Sequence, residues 1–329
     1  MEKQRIILRA DGSSKTGYGH FIRSIALASY LKNDFDCYFS TYNSDGNQPT
    51  DYQLAEIAKV CDYIPVAGYN IDSANANFLI ELTPDDIVVL DNYYYTTEYQ
   101  QAIKDKGCRL VCIDDLHDRR MVCDLLLTVC PLKKEDFSLE KNTKFVGGIE
   151  WAFLRDPFFK PPKIRNISKN IKKVVIAMGG ADPFRLTDKM IRIANTILPK
   201  SKIHVMAGDT VGINEESSKI AIIHRRICAD EIVELFDNSD LGIFTSSTVC
   251  VEAFSRELPV AAGYYVDNQE ELYRYGVKNE LFSPLGNLRD DSSAISERLR
   301  EVVENNRPKP ISIDFRKQKE KIIQLFKEL

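Results

Sequence analysis

Short apolar runs that read as buried strands alternate along this chain with amphipathic helical segments, and the alternation stops at a cluster of prolines before starting again. Strands are expected at 5–9, 36–40, 87–91, 109–113 and 123–128, with helical segments near 20–32, 52–60, 73–82 and 96–106. Asp156-Pro157, Pro161-Pro162 and the basic, polar stretch to Lys173 then interrupt both helix and sheet, because proline lacks the N–H that either ladder needs. The second round has strands at 173–178, 202–206, 221–224, 240–244 and 259–262 and helices at 184–197, 229–236 and 248–256. Two further amphipathic segments near 290–304 and 313–327 close the chain. Strands apolar on both faces need cover on both faces, so the alternation means mostly parallel, doubly wound sheets with helices on each side.

The chain has 329 residues, too many for one ordinary core. The expected class is α/β, with two Rossmann-like domains. Residues 1–155 form the first, 156–172 a linker, and 173–329 the second, whose last helix either stays there or packs back on the first. Open α/β sheets bind ligands beyond the carboxyl ends of their strands, so a cleft where those ends of both domains face each other is the expected site.

Composition fits a globular protein, with 44% hydrophobic and 28% charged residues, and no run reaches the roughly 18 apolar residues of a membrane helix. Met-Glu-Lys-Gln-Arg leads straight into a strand without an apolar signal region, which points away from export. Eight cysteines contain no Cys-x-x-Cys pair and sit mostly in apolar runs, so buried thiols in a reducing cytoplasm are expected, not disulfides or zinc. Four histidines are too few for a histidine-built metal site. Residues 1–155 carry 17 Lys and Arg against 23 Asp and Glu; the remainder carries 27 against 25. The mildly basic second half suits a nucleotide diphosphate, and the acidic first half is poorly suited to nucleic acid or an anionic membrane.

Residues 9 to 23 carry the densest signal. The apolar run Ile6-Ile7-Leu8 empties into a loop with Gly12, Gly17 and Gly19, and His20 opens a helix with apolar positions at Phe21, Ile22, Ile25, Ala26 and Leu31. Glycines at such a turn let backbone approach a ligand, and a helix N-terminus offers unpaired N–H groups to an anion. His20, the only imidazole of the first hundred residues, then reads as a proton-transfer group beside a phosphate-bearing substrate. The same turn occurs in many α/β proteins, where a first-turn histidine is a surface residue; from the loop alone the two readings stand level. His117, within Asp114-Asp115-Leu116-His117-Asp118-Arg119-Arg120, reads as part of a solvated charged loop, and His204 as a sheet histidine.

Four segments, in order, are similar to one family. They are Arg9-Ala10-Asp11 through Gly17-Tyr18-Gly19-His20-Phe21-Ile22-Arg23; Val88-Val89-Leu90-Asp91-Asn92-Tyr93 with Val111-Cys112-Ile113-Asp114-Asp115-Leu116 and Cys123-Asp124-Leu125-Leu126-Leu127; Met178-Gly179-Gly180-Ala181-Asp182-Pro183; and Ser246-Ser247-Thr248 with Glu252, then Asp267-Asn268-Gln269. The chain resembles the UDP-2,4-diacetamido-2,4,6-trideoxy-β-L-altropyranose hydrolases of pseudaminic acid biosynthesis and their spore-coat polysaccharide relatives, within the glycosyltransferase-B group. Gly147 to Leu154 follows the family pattern loosely, and Tyr264-Tyr265 replaces an aliphatic pair; both bear on the sugar, not on the reaction class.

The resemblance implies hydrolysis of a UDP-activated diacetamido-trideoxyhexose with inversion, without metal or cofactor, and no Asp-x-Asp is placed to hold Mg²⁺ on a diphosphate. Pyrophosphate is a weakly basic leaving group, so one general base suffices in place of the two carboxyl groups of ordinary glycosidases. His20 is the expected base because imidazole's unperturbed pKa lies near working pH, with Asp11 or Asp91 to orient it and Tyr93 to assist at sugar or water. Asp91 reads equally as a helix cap. Arg9, Asp11, Gly17 and Gly19 are expected to line the substrate. In the second domain Gly179, Gly180 and Asp182 would meet the diphosphate with Ser246, Ser247 and Thr248. Glu252, one helical turn past Thr248, would accept the ribose hydroxyls. Asn268 and Gln269 would reach the sugar diphosphate, and Ile227 lies where relatives recognise uracil. The expected partners are a UDP-sugar and UDP, with neither nucleic acid nor membrane insertion. The competing readings are an inverting glycosyltransferase using a UDP-sugar donor, a hydrolysing epimerase, and a non-catalytic UDP-sugar-binding protein.

Overall fold

A computed structural model describes residues 3–13, 17–43, 48–164, 170–304 and 313–329. Residues 14–16 of the glycine loop and 165–169 of the expected linker lie outside them. The chain divides into two compact units, 1–155 with 315–329, and 156–314.

The first unit runs β1 (Arg5–Ala10), α1 (Gly19–Leu31), β2 (Asp36–Ser40), α2 (Asp51–Ile57), β3 (Asp62–Tyr63), α3 (Ile71–Ile80), β4 (Ile87–Asp91), α4 (Thr97–Asp105), β5 (Arg109–Ile113), β6 (Arg120–Met121), β7 (Leu125–Thr128), β8 (Ser138–Leu139) and β9 (Lys144–Gly147). Its main sheet has the order β3-β2-β1-β4-β5-β7-β9, and every pairing in it is parallel. Ile6, Ile7, Leu8, Val88, Val89, Leu110 and Val111 have at most 1% of their surface exposed, as strands sandwiched between two helical layers must.

The second unit continues with β10 (Lys173–Ala177), α5 (Leu186–Ile197), β11 (Lys202–Met206), α6 (Glu215–Ile220), β12 (Ala221–His224), α7 (Ala229–Asp237), β13 (Leu241–Thr245), α8 (Thr248–Ser255), β14 (Val260–Tyr264), α9 (Asp267–Lys278), β15 (Ser283–Asn287) and α10 (Ser292–Glu304). The strand order is β12-β11-β10-β13-β14-β15, again all parallel. Val174, Ile176, Met190, Ile243 and Ala261 form its apolar centre with Leu285, Ile295 and Leu299. The last helix, α11 (Phe315–Lys327), belongs to the first unit, where it packs on α1 and buries Phe315, Ile322 and Phe326. Covered by the sheet on one side and α11 on the other, α1 buries nine of its 13 residues.

Several elements depart from the sequence reading. The strands β9 and β15 come from stretches without an apolar run; β15 reads Ser-Pro-Leu-Gly-Asn and sits at a sheet edge, where a missing proline N–H is tolerated. Helix α5 starts at Leu186, two residues later than expected, because Asp182 and Arg185 are left-handed (φ 42° and 54°). The segment expected as a bare linker opens with a 3-10 turn, Asp156–Phe159, that packs against α7, and Arg256 donates to the carbonyls of Lys160 and Pro161. Among the described residues no helix is long and apolar enough to cross a membrane.

Candidate active site

In the first sheet the direction of strand succession reverses between β1 and β4, which opens a crevice beyond their carboxyl ends. Residues following β1, β4, β5 and β7 therefore converge there. Gly17 lies at φ +83°, a backbone state costly for any residue with a Cβ, and its N–H and C=O pair with Ser13 to close the loop before α1. The N-cap of α1, Tyr18, makes no side-chain cap bond, and its first turn has no acidic residue, unlike α2, α3 and α4, which are capped by Thr50, Asn70 and Thr96. The amide donors at this end of α1 are thus not occupied by a side-chain cap.

His20 and Arg23 project one turn apart from α1 onto Asp91, the last residue of β4, which is fully buried. Asp91 Oδ1 receives His20 Nδ1 at 2.8 Å and Arg23 Nη2 at 2.6 Å; Oδ2 receives Arg23 Nε at 2.7 Å and Ser24 Oγ at 2.9 Å. Burial opposes charge on Asp91, but the Arg23 guanidinium, with His20 second, outweighs it and holds the carboxyl at about 2. An ionised carboxylate only accepts, so Nδ1 carries the hydrogen and donates it. In the neutral ring Nε2 is then the acceptor. Arg23 Nη2, 3.2 Å from Nδ1, is a second donor aimed at the same oxygen. The Tyr93 ring meets the imidazole edge to face with centroids 4.4 Å apart. His20 keeps 15% of its side chain exposed.

A further layer lies behind this pair. Arg23 Nη1 donates to Asp115 Oδ2 at 2.6 Å, and the other Asp115 oxygen receives the Thr128 hydroxyl at 3.0 Å and the Val129 N–H at 3.3 Å. The reading of residues 114–120 as a solvated loop is corrected here. Asp114 and Asp115 are buried, Asp114 accepting the Leu116 and His117 amides and Asp115 paired with Arg23; His117, Asp118 and Arg120 are exposed. Arg23 was legible as a charge three positions past His20 on an otherwise apolar helix, but its two partners come from strands nearly seventy or more residues away.

Asp11 takes a different part from the one open to it. It accepts Arg9, the Tyr94 hydroxyl and the Tyr42 amide, and it is Asp91 that meets His20. Arg9 has no exposed surface, lies against Phe78 and Tyr95 and pairs with Asp11, while its Nε and Nη2 have no partner among the described residues. Gly19 begins α1 beside open space.

The second unit repeats the crevice between β10 and β13. Gly179, following β10, lies at φ +96°, and a Cβ there would stand 3.2 Å from the Tyr265 hydroxyl; Gly180 follows directly. Asp182 spends both oxygens capping α5 through the Leu186 and Thr187 amides, each 2.8 Å. After β13, the Ser246 hydroxyl is buried and has no partner among the described residues, and Ser247 precedes α8 without capping it. The Ser-Thr cluster is therefore not consumed as an N-cap. Thr248 and Glu252 lie one turn apart on α8, both half-buried. Asn268 is exposed in the first turn of α9, whereas Gln269 accepts the Tyr265 amide at 3.1 Å. Ile227 sits half-buried between β12 and α7. Tyr265, noted above only as part of a departure from the family pattern, joins the Gly179 turn to α9. His204 is buried in β11, its Nδ1 2.8 Å from His224 Nε2 on the neighbouring strand. Among the described residues no group of three or more His, Cys, Asp or Glu side chains is gathered as a metal site.

No family model matches the chain. A curated relative, the UDP-2,4-diacetamido-2,4,6-trideoxy-β-L-altropyranose hydrolase of Campylobacter jejuni, is 27% identical over 278 residues, covering 81% of this chain and 93% of that protein. Among solved structures, Acinetobacter baumannii MurG superposes with a TM-score of 0.63 at 8% identity, covering 99% of this chain and 100% of that one. A UDP-N-acetylglucosamine 2-epimerase superposes with a TM-score of 0.61 at 14% identity over 99% of this chain and 96% of that one. The structural likenesses speak to fold alone. In sequence the chain is similar to a UDP-2,4-diacetamido-2,4,6-trideoxy-β-L-altropyranose hydrolase, and its fold is two Rossmann-like parallel sheets of the glycosyltransferase-B type.

Proposed function

We propose that the chain hydrolyses a UDP-activated 2,4-diacetamido-2,4,6-trideoxyhexose at its anomeric carbon, with inversion, releasing UDP and the free sugar. The observation that carries the reading is the His20–Asp91 pair, with Nδ1 donating 2.8 Å to a carboxylate held ionised by Arg23. That arrangement leaves Nε2 to take a proton from water while its oxygen bonds to the anomeric carbon. The bond from that carbon to the β-phosphate oxygen breaks with its electron pair, and UDP departs. Asp91 holds the tautomer and stabilises the imidazolium without taking the proton, as in hydrolytic triads. The sugar class comes from the Campylobacter relative's name and sequence likeness. In this reading the Gly179-Gly180 turn and the N-terminal end of α8 at Ser246 to Thr248 receive the diphosphate, Glu252 the ribose, and the segment at Ile227 the uracil. Tyr93 and Asn268 contact the sugar side. In this reading the protein works in the cytoplasm and without a metal.

Purified protein incubated with UDP-2,4-diacetamido sugars, with UDP release and the first-formed anomer followed by NMR, tests this. Turnover is expected without an acceptor sugar or added metal, and His20→Asn should lower kcat by ~10²–10⁴-fold. Near-normal turnover in His20→Asn would remove the base assignment, and an absolute need for a second sugar would make the protein a transferase.

A further inference from the structure

We propose that Arg23 and Asp115 are positioning residues that set the charge balance of His20 through Asp91, an inference that rests on the hydrolase reading above. All four donors to Asp91 are fixed: two from one guanidinium, one hydroxyl and one imidazole N–H. With each oxygen already accepting two hydrogen bonds, Asp91 cannot receive the proton taken from water without losing a bond, so that proton stays on the imidazole. Arg23 alone would cancel the Asp91 charge and leave the imidazolium unsupported. Asp115, 2.6 Å from the third guanidinium nitrogen, offsets Arg23 in turn. Two carboxylates and one guanidinium leave a single net negative charge, matched to the single positive charge the imidazole acquires. The Thr128 hydroxyl and the Val129 amide hold Asp115 in place.

Burying three charges is unfavourable unless geometry and partners are nearly complete, and an apolar cluster of similar volume would serve stability at least as well. Arg23 and Asp115 have 8% and 6% of their side chains exposed, and neither group is placed to touch a substrate except through His20. The charged and titratable groups around the imidazole are Asp91 from β4, Arg23 from α1 itself, Tyr93 from the loop after β4, and Asp115 behind Arg23 from the end of β5. The sign of each removal follows. Arg23→Gln leaves two carboxylates without their cation and favours the imidazolium. Asp115→Asn leaves the guanidinium without its second anion and disfavours it.

The test is NMR of protein labelled at its histidines, with the His20 signals assigned by their loss in His20→Asn. Wild-type protein should show the Nδ1–H tautomer. The His20 titration midpoint should rise in Arg23→Gln and fall in Asp115→Asn, each by about one pH unit or more. The acid limb of kcat/KM should move with it, with kcat reduced roughly tenfold or more and KM little changed. Midpoints that stay put in both variants, or move the same way, would overturn the proposal even if both unfold at lower temperature. Should Arg23→Gln fail to fold, Asp115→Asn carries the test, its midpoint expected to fall; a midpoint that stays or rises would overturn the proposal. If wild-type protein turns over no UDP-sugar, the hydrolase reading falls, while the NMR midpoints still decide the charge arrangement.

Discussion

Asp91 joins chemistry to stability. Its carboxyl is held at about 2 against an ordinary value near 4, so the folded state binds its proton later than the unfolded chain does. The stabilisation is complete above pH 4 and is lost as pH falls toward 2, worth roughly 2 kcal/mol over that window. Urea unfolding of wild type and Asp91→Asn between pH 2 and 5 checks this: the wild-type midpoint should fall across the window and the variant's should not show that component. Activity separates the roles further. Asp91→Asn offers an amide N–H where Nδ1–H needs an acceptor, which favours the wrong tautomer, and kcat should drop by several orders of magnitude as in triads that lose this carboxylate.

At the scale of elements, the helices divide by how their N-termini are treated. Thr50 and Thr96 cap α2 and α4 by accepting from Gln53 and Tyr99, so Thr96→Ala should cost about 1 kcal/mol in denaturant unfolding and leave turnover unchanged. Helices α1 and α8 have neither a side-chain cap nor a first-turn acid, and they start at the two crevices. On α8, Glu252→Ala should weaken UDP binding in calorimetric titration by roughly tenfold, the worth of about 1.4 kcal/mol, with little effect on melting; unchanged affinity would make Glu252 structural. The period of apolar residues made α1, β4, β10 and β13 legible, because burial on one or both faces writes itself into spacing. It failed for β9 and β15, since short edge strands need few apolar side chains and tolerate proline and glycine.

For the whole molecule, α11 is the long-range element. It buries Phe315, Ile322 and Phe326 in the first unit, and Lys321 lies over the ring of Trp151, the only tryptophan. At about 1.5–3 kcal/mol per buried side chain, a chain ending at Glu304 should lose most of the first unit's margin. Its Trp151 fluorescence should shift to the red and melt at lower temperature. The second unit answers acid differently. Burial, then Lys173 and His224, push His204 down to about 4, so the unfolded chain gains a proton there first and stability declines as pH falls from about 6.5 toward 4. His204→Phe should flatten that decline in unfolding curves recorded across the same range.

By itself the amino-acid sequence settled the α/β class, the parallel sheets and the presence of a histidine at the first strand–helix turn. Each of these depends on local spacing and on residue types at the ends of apolar runs. Which aspartate meets His20, why Arg9 and Asp11 face inward, and how Arg23 reaches Asp115 were decided only by the folded chain. Those contacts join strand ends up to 92 positions apart in sequence, and only strand order and register bring them within hydrogen-bond reach.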